Sequence, residues 1–129
     1  MAPSKPVILV VDDHPDSRLI IVLAMERWGY EVVEARDGKE AMDQIEGRNF
    51  NLVVVDLAIP FMSGLDVGRS VRIDPRTKDI PILAVTALDT SESRKRCSEA
   101  GFNDFLSKPF PMTELKTKVE TLLGQVSRQ

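Results

Sequence analysis

Three apolar runs, VILVV at 7–11, LVVV at 52–55 and IPILAV at 80–85, are continuous where a half-buried strand would alternate. A strand that is apolar on both sides must be covered on both sides, the condition of a strand inside a parallel sheet flanked by helices. Two weaker strands are expected at YEVVEA, 30–35, and DFLS, 104–107, and segments of helical length fall at about 16–28, 38–47, 64–73, 90–100 and 111–124. Strand and helix therefore alternate along the whole chain. That order predicts a doubly wound α/β fold: a five-stranded parallel sheet with five helices in a three-layer sandwich. Gly29 closes the first helix, Asp37-Gly38 opens the second, Pro60 and Gly64 bracket a loop, Pro111 sits in the first turn of the last helix, and Gly124 ends it.

A chain of 129 residues suits one domain, spanning 1–129 with a core of about 6–124. Its net charge of −3 offers no basic surface, which argues against direct nucleic-acid contact. The lone cysteine, Cys97, permits no internal disulfide, and Asp12 breaks the amino-terminal apolar run before it could act as an export signal, so a reducing cytoplasm is expected. No run approaches the length of a membrane span.

Two helices carry unequal apolar loads. Ile20, Ile21, Val22 and Leu23 are consecutive in the first, so some of them must face solvent, and an exposed apolar patch of that kind marks a docking surface. The fourth, TSESRKRCSEA, offers only Cys97 and Ala100 as core contacts and belongs at the low-stability end of the molecule.

The run ILVVDDHPD, 8–16, ends a buried-looking strand in adjacent carboxylates. Two carboxylates about 4 Å apart at an effective dielectric near 20 repel by roughly 4 kcal/mol, so such a pair needs a compensating cation. In an open parallel sheet, ligands bind beyond the carboxyl ends of the strands. Asp12 and Asp13 end the first strand, Asp56 the third, Thr86 the fourth and Lys108 the fifth. The predicted sheet thus brings three carboxylates, a hydroxyl and an ammonium to one edge. Three carboxylates suit Mg²⁺, whose coordination is often completed by phosphate oxygens. Asp56 can then act as an oxygen nucleophile toward phosphorus, with Thr86 and Lys108 stabilising charge on the transferred group. Taken singly these residues have simpler roles: Asp12, Asp13 and Asp16 as helix-capping acids, Asp56 as the start of a turn, Lys108 as a solvated lysine. His14, before Pro15, reads as an exposed loop residue with no catalytic role, and Cys97 as a small packing residue.

Together, VDD at 11–13, DLAIPFMSG at 56–64, TA at 86–87 and KP at 108–109 resemble the receiver domains of two-component response regulators, in order and spacing, over nearly the whole chain. The resemblance implies a flavodoxin-like sheet of order 2-1-3-4-5 and phosphorelay signalling. It implies Asp56 as phosphoacceptor, Mg²⁺ held by Asp12, Asp13, Asp56 and the Ala58 carbonyl, and Thr86 and Lys108 on the phosphoryl group. It also implies a cis peptide at Lys108-Pro109 and a switch pair of Thr86 and Phe105. A sensor histidine kinase or histidine phosphotransfer protein is the implied donor, with a downstream protein target on the face of helix 4, strand 5 and helix 5. Two positions depart from the common pattern. Ile59 stands where methionine is frequent, and Phe105 where tyrosine is commoner; without a phenol, readout through Phe105 rests on packing.

Two other functions use parts of the same set. A phosphatase with an aspartate nucleophile needs a second aspartate two residues on, where this chain has Ala58. A binding module that signals without phosphate would not need the intact acidic pair, threonine and lysine. Turnover of a small phosphate ester separates the first from a phosphoryl-accepting switch, and the output of Asp56→Asn separates the second.

Overall fold

The computed structural model of the protein describes residues 5–127. Its elements run β1 (Val7–Val11), α1 (Pro15–Arg27), β2 (Glu31–Ala35), α2 (Gly38–Gly47), β3 (Leu52–Val55), α3 (Gly64–Ile73), β4 (Ile82–Thr86), α4 (Ser91–Glu99), β5 (Asp104–Ser107) and α5 (Met112–Ser127). All strand pairs are parallel, and the sheet order is β2-β1-β3-β4-β5, as expected.

The uninterrupted apolar runs become the interior strands. Every residue of β3 and β4 is buried, as is β1 after its first residue. Because side chains alternate across a pleated strand, each run serves two cores at once. Ile8, Val10, Leu52, Val54 and Leu83 pack against α1 and α5, whereas Leu9, Val11, Val53, Val55 and Ile82 pack against α2 and α3. Helix α4 joins the second face through a smaller cluster of Leu57, Ala84, Cys97 and Phe105.

The uneven apolar loads appear as the sequence implies. In α1, Ile21, Val22 and Met25 are buried while Leu19, Ile20 and Leu23 are each more than half exposed. In α4, Cys97 is the one buried residue, with Ala100 buried just beyond the helix. This helix is held mainly by its own start, where Thr90 accepts from the Ser93 amide and Ser93 returns the bond to the Thr90 amide. Among the described residues no helix is long and apolar enough to cross a membrane.

Most boundaries fall within a residue of those expected, and the differences at Pro111, Gly124 and Pro81 have a physical reason. Pro111 lies one residue before α5 instead of in its first turn, its carbonyl accepting from the Glu114 amide. Gly124 does not end α5, which continues to Ser127. Nothing lies within 4 Å of the space a Cβ would take at Gly124, so no packing constraint forces a break, and the helical cost of glycine, about 1 kcal/mol, is absorbed. Strand β4 begins at Ile82, because Pro81 has no amide to donate to the ladder and contributes only its carbonyl, to Val53.

Gly64 couples the fold to the strand ends. Its amide donates to the Leu57 carbonyl (3.0 Å), and a Cβ there would strike the Asp56 carbonyl oxygen and lie 2.7 Å from the Leu57 Cα. Both obstacles are backbone, so a larger residue must push β3's end away from α3. Gly64→Ala is expected to destabilise the protein by about 1–3 kcal/mol, as overpacking does. An unchanged urea midpoint would show that the loop yields freely.

Candidate functional site

Register carries the polar residues to one edge. Val11 pairs with Val55, Val55 with Ala84, and Thr86 with Ser107. The ladder then continues one step past the apolar runs. The Asp12 amide donates to Ala35 (3.1 Å), Asp56 to Val11 (2.9 Å) and Lys108 to Thr86 (2.9 Å). Asp12, Asp56 and Lys108 are therefore held by sheet hydrogen bonds, so their side chains start from fixed backbone positions.

At that edge the Lys108 ammonium donates to two carboxylates, Asp12 Oδ2 at 2.8 Å and Asp56 Oδ2 at 3.1 Å. Both acids are buried, at 2% and 5% exposure, and Thr86 is fully buried. Asp12 also accepts from Ser17 Oγ (2.8 Å) and the His14 amide (2.9 Å). Asp56 Oδ1 accepts from the Ala58 amide (3.1 Å), and Thr86 Oγ1 from the Leu88 amide (3.2 Å). A cleft of about 550 Å³ opens over these groups, with Asp56, Ala58, Thr86, Leu88 and Lys108 among its walls. The Lys108-Pro109 peptide is cis.

Asp13 is placed differently. Its Oδ1 is buried without a hydrogen-bond partner; the His14 Nδ1 lies 3.1 Å away but outside hydrogen-bonding geometry. An orphaned carboxylate oxygen costs about 1–3 kcal/mol or more unless something satisfies it. A cation would satisfy such an oxygen by coordination, and hard oxygen donors are what Mg²⁺ takes. Phe105 is buried against Leu57, Ala84 and Cys97, with the Arg94 guanidinium 4.4 Å over its ring and Asp89 paired to Arg94 at 2.7 Å.

Asp12, Asp56, Thr86 and Lys108 thus come to one edge, with Asp13 outside the set of donors, Asp12, His14 and Asp56, that lie within reach of one ion. The capping role open to Asp12 is not the one it takes: the residue preceding α1 is His14, which makes no side-chain cap. Two participants escaped the sequence reading. Ser17 is one helical turn past the aspartates, and a serine in a helix's first turn carries no signal of its own until Asp12 is known to face it. His14 was read as exposed, and its side chain is 66% exposed, yet its Nδ1 reaches Asp12 Oδ1 at 3.2 Å.

The charges are mutually dependent. Burial pushes the Asp12 carboxyl up, but the bonds from Lys108, the His14 amide and Ser17, with the Lys108 charge, outweigh it and hold Asp12 below the usual aspartate range. Burial pushes Lys108 down, and its bond to Asp12 and the nearby Asp56 charge outweigh that, holding it above the usual lysine value.

The chain matches the response regulator receiver domain family over residues 8–120. It belongs to that family. The chemotaxis protein CheY of Pseudomonas aeruginosa is 36% identical to this receiver domain over 121 residues, covering 93% of this chain and 98% of CheY. The phosphate regulon regulator PhoB of the same organism is 34% identical over 90% of this chain; the receiver domain spans 51% of PhoB's length. Among solved structures, a putative response regulator from Chloroflexus aurantiacus superposes with a TM-score of 0.90 at 34% identity, covering 94% of this chain and 99% of its own. The receiver domain of a sensor histidine kinase from P. aeruginosa, with a magnesium ion coordinated in its active-site cleft, gives 0.87 at 30% identity, covering 94% and 99%. Receiver domains are the signalling switches of two-component systems, engaged by histidine kinases or phosphotransfer proteins and by downstream targets.

The shifted Asp12 makes stability depend on acid. A carboxyl depressed in the folded state contributes stability that is present above its unfolded value, about 3.9, and is lost as pH falls through the folded value. Lys108→Met removes the bond and the charge of Lys108 from the causes that depress Asp12, so the stability that Asp12 loses on protonation shrinks. The fall in urea midpoint from about pH 5 to pH 3 is expected to be shallower in that variant; an unaltered acid slope would contradict the coupling.

Proposed function

We propose that residues 1–129 act as one receiver unit that takes a phosphoryl group from phosphohistidine onto Asp56 and thereby changes its partner preference. The observation that carries this reading is the single ammonium of Lys108 shared between Asp12 and Asp56 at the floor of an open cleft. Asp12, Asp13 and Asp56 supply carboxylate oxygens, and Ala58 a carbonyl, to hold Mg²⁺; the unpartnered Asp13 oxygen favours this set. Bound there, Mg²⁺ supplies positive charge against the phosphoryl oxygens and relieves the repulsion among the acids.

An Asp56 carboxylate oxygen attacks phosphorus, the donor's phosphorus–nitrogen bond breaks, and the imidazole leaves with the electron pair. Lys108 and the Thr86 hydroxyl stabilise the charge spread over the equatorial oxygens. The chain contributes these groups to its own phosphorylation and is a switch with a single-use nucleophile rather than a turnover enzyme. Thr86, drawn to the new phosphoryl group, gives up its bond to the Leu88 amide, and Phe105 follows it toward the phosphate, away from its packing with Cys97 and Arg94. The light apolar anchoring of α4 supports a small energy gap between its two positions, which a change from carboxylate to acyl phosphate can bias.

The exposed Leu19, Ile20 and Leu23 of α1 offer the donor a docking surface, and α4, β5 and α5 offer one to a downstream protein. The working place is the cytoplasm, with no direct nucleic-acid contact. Ala58 and Leu88 give the cleft no side-chain donor or acceptor at the two positions flanking the phosphoryl group, so no side chain there orients an attacking water and the acyl phosphate is long-lived.

Incubation with acetyl phosphate and Mg²⁺ is expected to add the mass of one phosphoryl group to the intact chain, and Asp56→Asn to abolish the gain; a gain that survives the substitution sinks the assignment. The label is expected to persist without a phosphatase. Loss within seconds would rule out the slow self-dephosphorylation attributed to Ala58 and Leu88.

A further inference from the structure

His14 is the only histidine in the chain, and the preceding reading gives it no task. Its ring nitrogen, with one carboxylate oxygen each from Asp12 and Asp56, forms a set of donors that lie within 4.8 Å of one another. We infer that His14 can supply an imidazole nitrogen to a cation held by these acids, so that it raises the site's affinity for a borderline divalent transition ion such as Zn²⁺ while leaving that for Mg²⁺ nearly unchanged. The inference rests on the cation site of the preceding subsection and adds a ligand of different chemistry to it.

Geometry supports the step. Two ligands at about 2.1 Å from one tetrahedral ion are about 3.4 Å apart, so donors that lie within 4.8 Å of one another must draw together by no more than about 1.4 Å to close on Zn²⁺. The imidazole is the mobile member, with a side chain 66% exposed and no hydrogen bond to the start of α1. The rest of the set is anchored, since Asp12 and Asp56 extend the sheet ladder and are held by Lys108. The Asp13 oxygen lies 3.1 Å from the same ring nitrogen but outside the set of donors within 4.8 Å of one another.

Chemistry then decides which ion gains. Mg²⁺ is served by oxygen and keeps its waters, so an added nitrogen brings it little. Zn²⁺ and Cu²⁺ favour imidazole, and a mixed nitrogen and carboxylate set raises their affinity selectively. A purely structural histidine, one that merely hydrogen-bonds Asp12, would act on all cations alike by orienting that carboxylate.

The test compares the untagged full chain with His14→Asn, a residue well suited to the start of a helix. Titration calorimetry with Zn²⁺ and, separately, with Mg²⁺ is expected to show Zn²⁺ weakened roughly tenfold or more in the variant, and Mg²⁺ by less than about twofold. With Cu²⁺ as a probe, pulsed electron paramagnetic resonance should show the remote-nitrogen modulation of an imidazole in the wild type, which in this chain can come only from His14, and lose it in the variant. Equal weakening of both ions, Zn²⁺ binding that the substitution leaves unchanged, or the lack of imidazole modulation overturns the inference while leaving the Mg²⁺ site intact. Failure of Mg²⁺ to bind the wild type overturns both.

Discussion

The Lys108 ammonium between Asp12 and Asp56 ties the end of its own strand to two others, 52 and 96 residues away in the chain. A buried lysine without partners would give up its proton, and two buried carboxylates without a cation would repel; each group is tolerable only because the others are there. The cost of assembling them is met by the sheet, whose parallel register leaves three backbone amides at its edge to hold the acids and the lysine in place. Stability and chemistry thus meet at the same atoms. Asp12 and Asp56, the most buried carboxylates among the described residues, are also the ones a phosphoryl group on Asp56 would disturb.

Around this edge the molecule divides into rigid and lightly held parts. The central strands are buried on both faces and the helices α1, α2, α3 and α5 each press several apolar side chains onto them. Helix α4 does so with Cys97 alone and adds a polar cap and the Arg94 contact over Phe105. If Thr86 moves as proposed, α4 is the neighbouring helix with the fewest buried apolar contacts to resist it.

How much of this is written in the sequence follows from the range of the forces involved. The continuous runs of β1, β3 and β4 are a local signal of two-sided burial, and they located the interior strands to within two residues. The strand-end position of Asp12, Asp56, Thr86 and Lys108 is likewise local, and parallel topology does the rest. What was not legible depends on distant neighbours or on missing ones. Gly124 looked like a stop because glycine ends helices where packing demands a left-handed residue, and no such demand exists there. Ser17 and His14 acquire a role only from the carboxylate each happens to face, and neither side chain announces its direction in the sequence.

The apolar stripe of α1 and the lightly held α4 lie on opposite faces of the sheet, one over the core of Ile21 and Met25, the other beside Leu57 and Phe105. A protein seated on Leu19, Ile20 and Leu23 leaves α4 uncovered. Helix α5, however, shares the α1 side of the sheet, and Ile20 and Met112 line one depression between them, so on the proposed surfaces a donor on α1 and a target reaching α5 would meet along a common border.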